Sequence, residues 1–115
     1  FGRMTVTTAD QHDEMIAFLS QLTHGIAVSL MCANDDPDLV QYTGDSFRDL
    51  TRIANINDEM WSELFLENSD NLLFELDYLI QRLSEYRSAI AENDYDCLCR
   101  LLDEGRMRKK EIDGK

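Results

Sequence analysis

The chain reads as all-α, a bundle of about five helices built on one long N-terminal helix. Three observations predict this class. One Pro and five Gly among 115 residues leave few breaks, so helices can run long. Apolar residues recur at spacings of three and four through most of the chain. Strict alternation, the mark of a half-buried strand, is confined to the short stretch Met4-Thr5-Val6-Thr7.

The elements follow in order. Residues 1–7 read as an extended lead-in. Thr8-Ala9-Asp10-Gln11 fits a capping box, with Thr8 as N-cap and Gln11 three positions on. Asp10, Asp13 and Glu14 add negative charge where the helix dipole favours it. Met15, Leu19, Leu22, Ile26 and Leu30 then hold helical spacing, so a spine helix is expected from about Ala9 to about Ala33. At 1.5 Å per residue it would be roughly 37 Å long. Asn34-Asp35-Asp36-Pro37 stops it, because Pro disfavours helix in the residue before it. Asp38 to Tyr42 carries no clear pattern.

Gly44 permits a turn, after which Asp45 or Ser46 can cap a short helix through Phe47, Leu50, Ile53 and Ala54. Asn57-Asp58-Glu59 opens another helix, with Met60, Trp61, Leu64 and Phe65 on it. Glu67 to Asp70 is polar, a kink or a fresh cap. Leu72, Leu76, Leu79, Leu83, Tyr86 and Ile90 then make a heptad seam, which wants a partner helix. Asn93-Asp94 marks the next turn, and Tyr95, Leu98, Leu101 and Leu102 lie on one more amphipathic helix. Arg106, Arg108, Lys109 and Lys110 near its end match the dipole of a helix C-terminus.

Composition excludes several functions. Acids outnumber bases 23 to 11, for a net charge of −12, and a phosphate backbone needs a basic face, so nucleic acid is not the expected partner. The same charge argues against an anionic membrane surface. No continuous apolar run of transmembrane length is present, so no membrane span is expected. The three cysteines, Cys32, Cys97 and Cys99, are odd in number and sit in helical patterns, which points to reduced thiols in a cytoplasmic protein. Cys97 and Cys99 project from widely separated sides of a helix, a poor arrangement for zinc. The glycines are isolated, so neither a dinucleotide fingerprint nor a P-loop occurs, and no cofactor is expected on this chain. No Ser-nucleophile motif occurs, and no metal site is expected.

The stretch from Thr43 to Asn57 is the place to look for a site, because it sets Arg48 and Arg52 in a polar insertion between apolar helices. The two arginines are four apart and share a side of the short helix, with Asp49 beside them. For Arg52 two readings stand: an ion pair with Asp49 or Glu59, or a planar fork for a ligand carboxylate. His12 and His24, the only histidines, lie roughly 18 Å apart along the spine helix and roughly 120° apart around it, too far for one metal ion. By periodicity alone His24 is a buried, hydrogen-bonded histidine and Trp61 a core residue.

A resemblance sharpens these readings. Thr7-Thr8-x-x-x-His12-Asp13-x-Met15-x-Ala17-Phe18-x-Ser20-x-Leu22-x-His24 resembles the start of the helical C-terminal domain of prephenate dehydrogenases. Gly44-Asp45-Ser46-Phe47-Arg48-Asp49-Leu50-Thr51-Arg52-Ile53-Ala54 is similar to the most distinctive segment of that family, and Trp61-x-x-x-Phe65-x-x-Asn68 follows at its spacing. The resemblance covers roughly Thr7 to Leu83, most of the chain. The resemblance implies an interlocked homodimer and, over residues 8–115, a dimerisation and substrate-binding domain. The lead-in would then come from an N-terminal nucleotide-binding domain outside this chain. That domain would bind NAD or NADP and supply the catalytic His, leaving no catalytic residue here. No regulatory domain is expected after Lys115. The implied reaction is oxidative decarboxylation of prephenate, or of arogenate, in tyrosine biosynthesis. By position, Arg52 would bind a substrate carboxylate and His24 would line the pocket, with Asp49 and Trp61 shaping it. Gly25 stands where the family is expected to carry a larger apolar residue. The competing reading is a non-catalytic helical interaction module.

Overall fold

The computed structural model describes residues 8–36, 38 and 44–114. Five helices and no strand occur among them. They are α1 (Ala9–Cys32), α2 (Asp45–Thr51), α3 (Asp58–Glu67), α4 (Ser69–Ala91) and α5 (Tyr95–Asp113). The expected lead-in and residues 39–42 lie outside the described residues. The chain divides into two compact units, residues 1–76 and 77–115, with α4 beginning in the first and running into the second.

In the first unit α1 is the spine. Its start is the expected capping box: Thr8 Oγ1 accepts from the Gln11 N–H at 3.1 Å, and Gln11 Oε1 accepts from the Thr8 N–H at 3.2 Å. The helix is not uniform. Residues Ala17–Leu22 form a π-helical stretch between two α-helical segments. After Cys32 the Asn34 carboxamide accepts from the Asp36 N–H and the Asp36 carboxylate from the Asp38 N–H, both at 2.9 Å. These two side chains hold the chain in turns just past the helix end.

α1 is also more apolar than the sequence reading allows. By length and composition alone it could cross a membrane. Ser20, Gln21, Thr23 and His24 interrupt its apolar run without adding charge, so it is apolar on average without being continuously so. The polar positions are what distinguish it here, since Gln21 is buried and hydrogen-bonds to α3.

α2 is shorter than expected, ending at Thr51 rather than near Ala54. Thr51 Oγ1 donates back to the Phe47 carbonyl at 2.8 Å, and the Ala54 N–H reaches the Thr51 carbonyl as the chain turns away. Its N-cap is Gly44, with no side-chain cap, so neither Asp45 nor Ser46 takes that role. α2 packs against the last segment of α1, residues 23–32. Asn57 caps α3 through a 3.0 Å bond from the Met60 N–H. Asn68 breaks α3 from α4, so the polar Glu67–Asp70 stretch is a helix junction. The core of this unit is small: Ala17, Leu22, Ala27 and Leu72, with Gln21 among them.

The second unit is a helical hairpin of late α4 against α5. Its core is Ala89 and Leu101, and the Tyr86 hydroxyl donates to the Leu101 carbonyl at 3.3 Å. Asn93 has φ 54°, the only positive φ among the described residues. The Asp94 N–H bonds the Ala89 carbonyl at 2.8 Å and the Asn93 N–H bonds that of Ile90 at 3.1 Å. That pair of bonds is a Schellman motif with Asn at the left-handed position. Asp94 then caps α5 through the Cys97 N–H. α5 runs to Asp113, and its terminal basic cluster pairs with nearby acids, as in Arg106–Asp103, Arg108–Glu111 and Lys109–Asp113. Between the helices Arg82 bonds Glu104 at 3.1 Å and also pairs with Glu85 at 3.2 Å. The Glu104 bond and the Glu85 charge hold its guanidinium above the usual arginine range.

Candidate functional site

The site residues gather in the first unit, where α1 changes from π to α geometry. In a π turn the carbonyls lose their usual i+4 partners, and such turns often mark functional positions. Here the Ser20 carbonyl takes three donors. The Thr23 N–H returns to it, the Thr23 hydroxyl bonds it at 2.8 Å, and His24 Nδ1 lies 2.7 Å from it. A carbonyl only accepts, so Nδ1 carries a proton. Nε2 is then the nitrogen left to interact, and it makes no hydrogen bond with a described residue. As a neutral ring His24 offers an acceptor there; as an imidazolium it offers a charged donor.

The His24 ring is stacked on Trp61 of α3, with ring centroids 4.0 Å apart and planes inclined by 21°. Trp61 in turn meets the edge of Phe65 at 6.0 Å and 79°. His24, Trp61 and Phe65 are each half-buried. An apolar wall with one polar nitrogen on it is a common lining for a small-molecule site.

Arg52 directly follows α2, the helix that packs on the α1 segment bearing His24. It is exposed and forms no ion pair or hydrogen bond with a described residue. The ion pairs with Asp49 or Glu59 that the sequence allowed are not formed. Asp49 is exposed on α2. The fold therefore stacks His24 and Trp61 directly. It brings Asp49 and Arg52 onto a neighbouring element, without a bond from either to the ring pair.

Known proteins resemble the chain as a whole. A family model described as "Prephenate dehydrogenase, dimerization domain" matches residues 8–104. The chain belongs to the prephenate dehydrogenase dimerization-domain family. Among curated relatives, the cyclohexadienyl dehydrogenase of Zymomonas mobilis is 36% identical over 103 residues, which is 84% of this chain and 35% of that protein. The solved prephenate dehydrogenase from A. aeolicus, in complex with hydroxyphenyl propionate and NAD+, is 29% identical with TM-score 0.81, covering 92% of this chain and 39% of that one. Synechocystis arogenate dehydrogenase has TM-score 0.82 at 22% identity, covering 96% of this chain and 42% of that one, and speaks to the fold. The chain spans about a third of the length of the curated relatives it matches.

Two further polar residues, Gln21 and Asn68, join α1 to α3 beside the ring pair. Gln21 is 4% exposed, and its Nε2 donates to the Leu64 carbonyl at 3.1 Å. Asn68 Nδ2 donates to Gln21 Oε1 and to the Asp13 carbonyl, both at 2.9 Å. Asn68 stood at the end of a family motif, but nothing in the sequence paired it with Gln21. On a regular helical wheel Gln21 lies away from the Met15, Leu19, Leu22, Ile26 and Leu30 stripe, so its burial had no signal in the spacing.

Proposed function

We propose that this chain is the dimerisation and substrate-binding domain of an NAD- or NADP-dependent prephenate dehydrogenase. The whole enzyme would oxidatively decarboxylate prephenate, or the similar arogenate, releasing CO2 and passing hydride to the nicotinamide in tyrosine biosynthesis. The observation that carries this reading is the His24–Trp61 stack inside a matched family domain, with Arg52 on the adjoining element.

The roles follow from chemistry. Prephenate is a dicarboxylate, and a chain of net charge −12 must hold it at a local cationic point. Arg52, exposed at the end of α2, is suited to a bidentate carboxylate contact. His24 presents Nε2 to the ligand while Ser20 holds its other nitrogen. Trp61 is the apolar wall, and Asp49 helps shape the pocket, with a second subunit able to contribute. Isolated glycines give no cradle for a dinucleotide, so the cofactor would be held by residues outside this chain. This domain's share of catalysis is binding and orientation. Free thiols at Cys32, Cys97 and Cys99 agree with a cytoplasmic enzyme.

The partner would be a second copy. Leu73, Leu76, Ile80, Leu83 and Ile90 form an exposed apolar stripe along α4, which a homodimer would cover. In the full-length enzyme, Arg52→Ala is expected to raise the prephenate KM by roughly ten- to hundredfold, the loss of a charge-assisted hydrogen bond. The cofactor KM should stay within about twofold. An unchanged prephenate KM would remove Arg52 from the site.

A further inference from the structure

The contacts between α1 and α3 fall into two kinds, and their order along the helices matters. Nearest the start of α1, Asn68 Nδ2 donates to the Asp13 carbonyl at 2.9 Å. Next, the Gln21 and Asn68 carboxamides bond each other, and Gln21 Nε2 reaches the Leu64 carbonyl at 3.1 Å. Next again, one turn beyond Gln21 and one turn before Leu64, comes the His24–Trp61 stack. A third carboxamide, Asn71 on α4, donates to Asn68 Oδ1 at 2.9 Å. No buried side-chain nitrogen or oxygen among the described residues is left without a partner. We infer that the Gln21–Asn68 carboxamide pair is a positioning clasp that sets the register of α1 against α3 and thereby holds Trp61 on His24.

Apolar attraction is non-directional and so sets register weakly. A buried carboxamide sets it strictly, since a shift of one residue would strand its donors and acceptors away from water. Gln21 sits inside the π-helical stretch, where α1 deviates from regular geometry and its register against a neighbour most needs fixing. Asn68 is the C-cap of α3, and it fixes that helix at the end from which α4 departs. Asn68 spends both of its side-chain N–H groups on α1, one on a backbone carbonyl and one on Gln21. The backbone contact fixes height along α1, and the Gln21 contact fixes rotation. Neither residue bonds to the ring pair, so their effect on a ligand passes through His24 and Trp61.

The consequence for substrate rests on the proposed function, and the test separates the two. The full-length protein carrying Asn68→Ala is compared with parent, His24→Ala and the double variant, following the Trp61 indole N–H resonance and steady-state kinetics. Asn68→Ala should move the indole resonance toward its position in His24→Ala, and adding His24→Ala should then change it little. Its substrate KM should rise about tenfold or more while the cofactor KM stays within about twofold, since small misplacements of binding groups cost this much. Gln21→Met, which retains side-chain volume, should act in the same direction and guards against loss of folding in the first variant. The clasp is overturned if the indole resonance keeps its parental position and its dependence on His24 in both variants. It is also overturned if both KM values rise alike. If His24→Ala leaves the substrate KM unchanged, the substrate-site reading fails, and the indole resonance alone decides the clasp.

Discussion

His24 and Gln21 lie one turn apart on the same helix and are fixed in different ways. His24 is tied to its own helix through the Ser20 carbonyl and turns its ring to Trp61. Gln21 is tied to α3 and is almost fully buried. Periodicity marked His24 as a buried, hydrogen-bonded histidine but gave neither residue its partner, because spacing within a helix carries no information about which distant helix will arrive. The family resemblance marked His24 and Trp61 as neighbours of a ligand, and the fold adds that they touch each other. In the second unit the residue with most at stake is Leu101, 1% exposed and the largest fully buried side chain among the described residues. Leu101→Ala should cost about 2–5 kcal/mol. A fall in the urea midpoint with an unchanged slope would register it. A loss well under 1 kcal/mol would mean the hairpin core relaxes around the gap.

At the scale of elements, caps were the most legible features. Thr8 with Gln11, Asn57 and Asp94 each take the role that their residue type and position suggest. The cap that failed was at Gly44, where two good candidates stand just inside the helix that begins at Asp45. The α4–α5 turn is closed by Asn93 at φ 54°, a conformation that costs a residue with a Cβ about 1–2 kcal/mol unless it is Asn or Asp. Thermal melts should therefore place Asn93→Gly at or above the parent and Asn93→Val about 1–2 kcal/mol below it. Equal melts for Gly and Val would show that the turn can adopt another form. The heptad seam on α4 was legible only in part. Leu72, Leu79 and Tyr86 are covered to different degrees, while Leu76, Leu83 and Ile90 remain exposed. Heptad spacing says that residues share a face, and says nothing about how much of that face one chain can cover.

For the whole molecule the contrast is between charge and exposed apolar surface. The chain carries a net charge of −12 and yet leaves Leu73, Leu76, Ile80, Leu83 and Ile90 on the surface of one helix. Two copies meeting through this stripe would bury apolar area and bring like charges together. Salt screens the repulsion, with a Debye length falling from roughly 10 Å at 0.1 M toward 3 Å at 1 M, and leaves the apolar gain in place. Sedimentation equilibrium should therefore find a dimer that tightens as salt is raised over that range. Dissociation by salt would mean that the contact is ionic, and a stable monomer at micromolar concentration would count against the homodimer altogether. The all-helical class and the number of helices were readable from the scarcity of Pro and Gly and from the three-and-four spacing. The gathering of His24 and Trp61 was not, because it depends on contacts between parts of the chain far apart in sequence.

The π-helical stretch Ala17–Leu22 has one more effect on α1. A π turn takes up roughly one residue more than an α turn, and one residue in an α-helix corresponds to roughly 100° around the axis. The two ends of α1 are therefore out of phase with each other. A single helical wheel drawn through the whole helix therefore does not hold on both sides of this stretch. The stretch works as a phase shifter: the residues before it and after it obey separate wheels, so that Asp13 on the first meets Asn68 while the second turns His24 to Trp61 of α3 and also packs on α2.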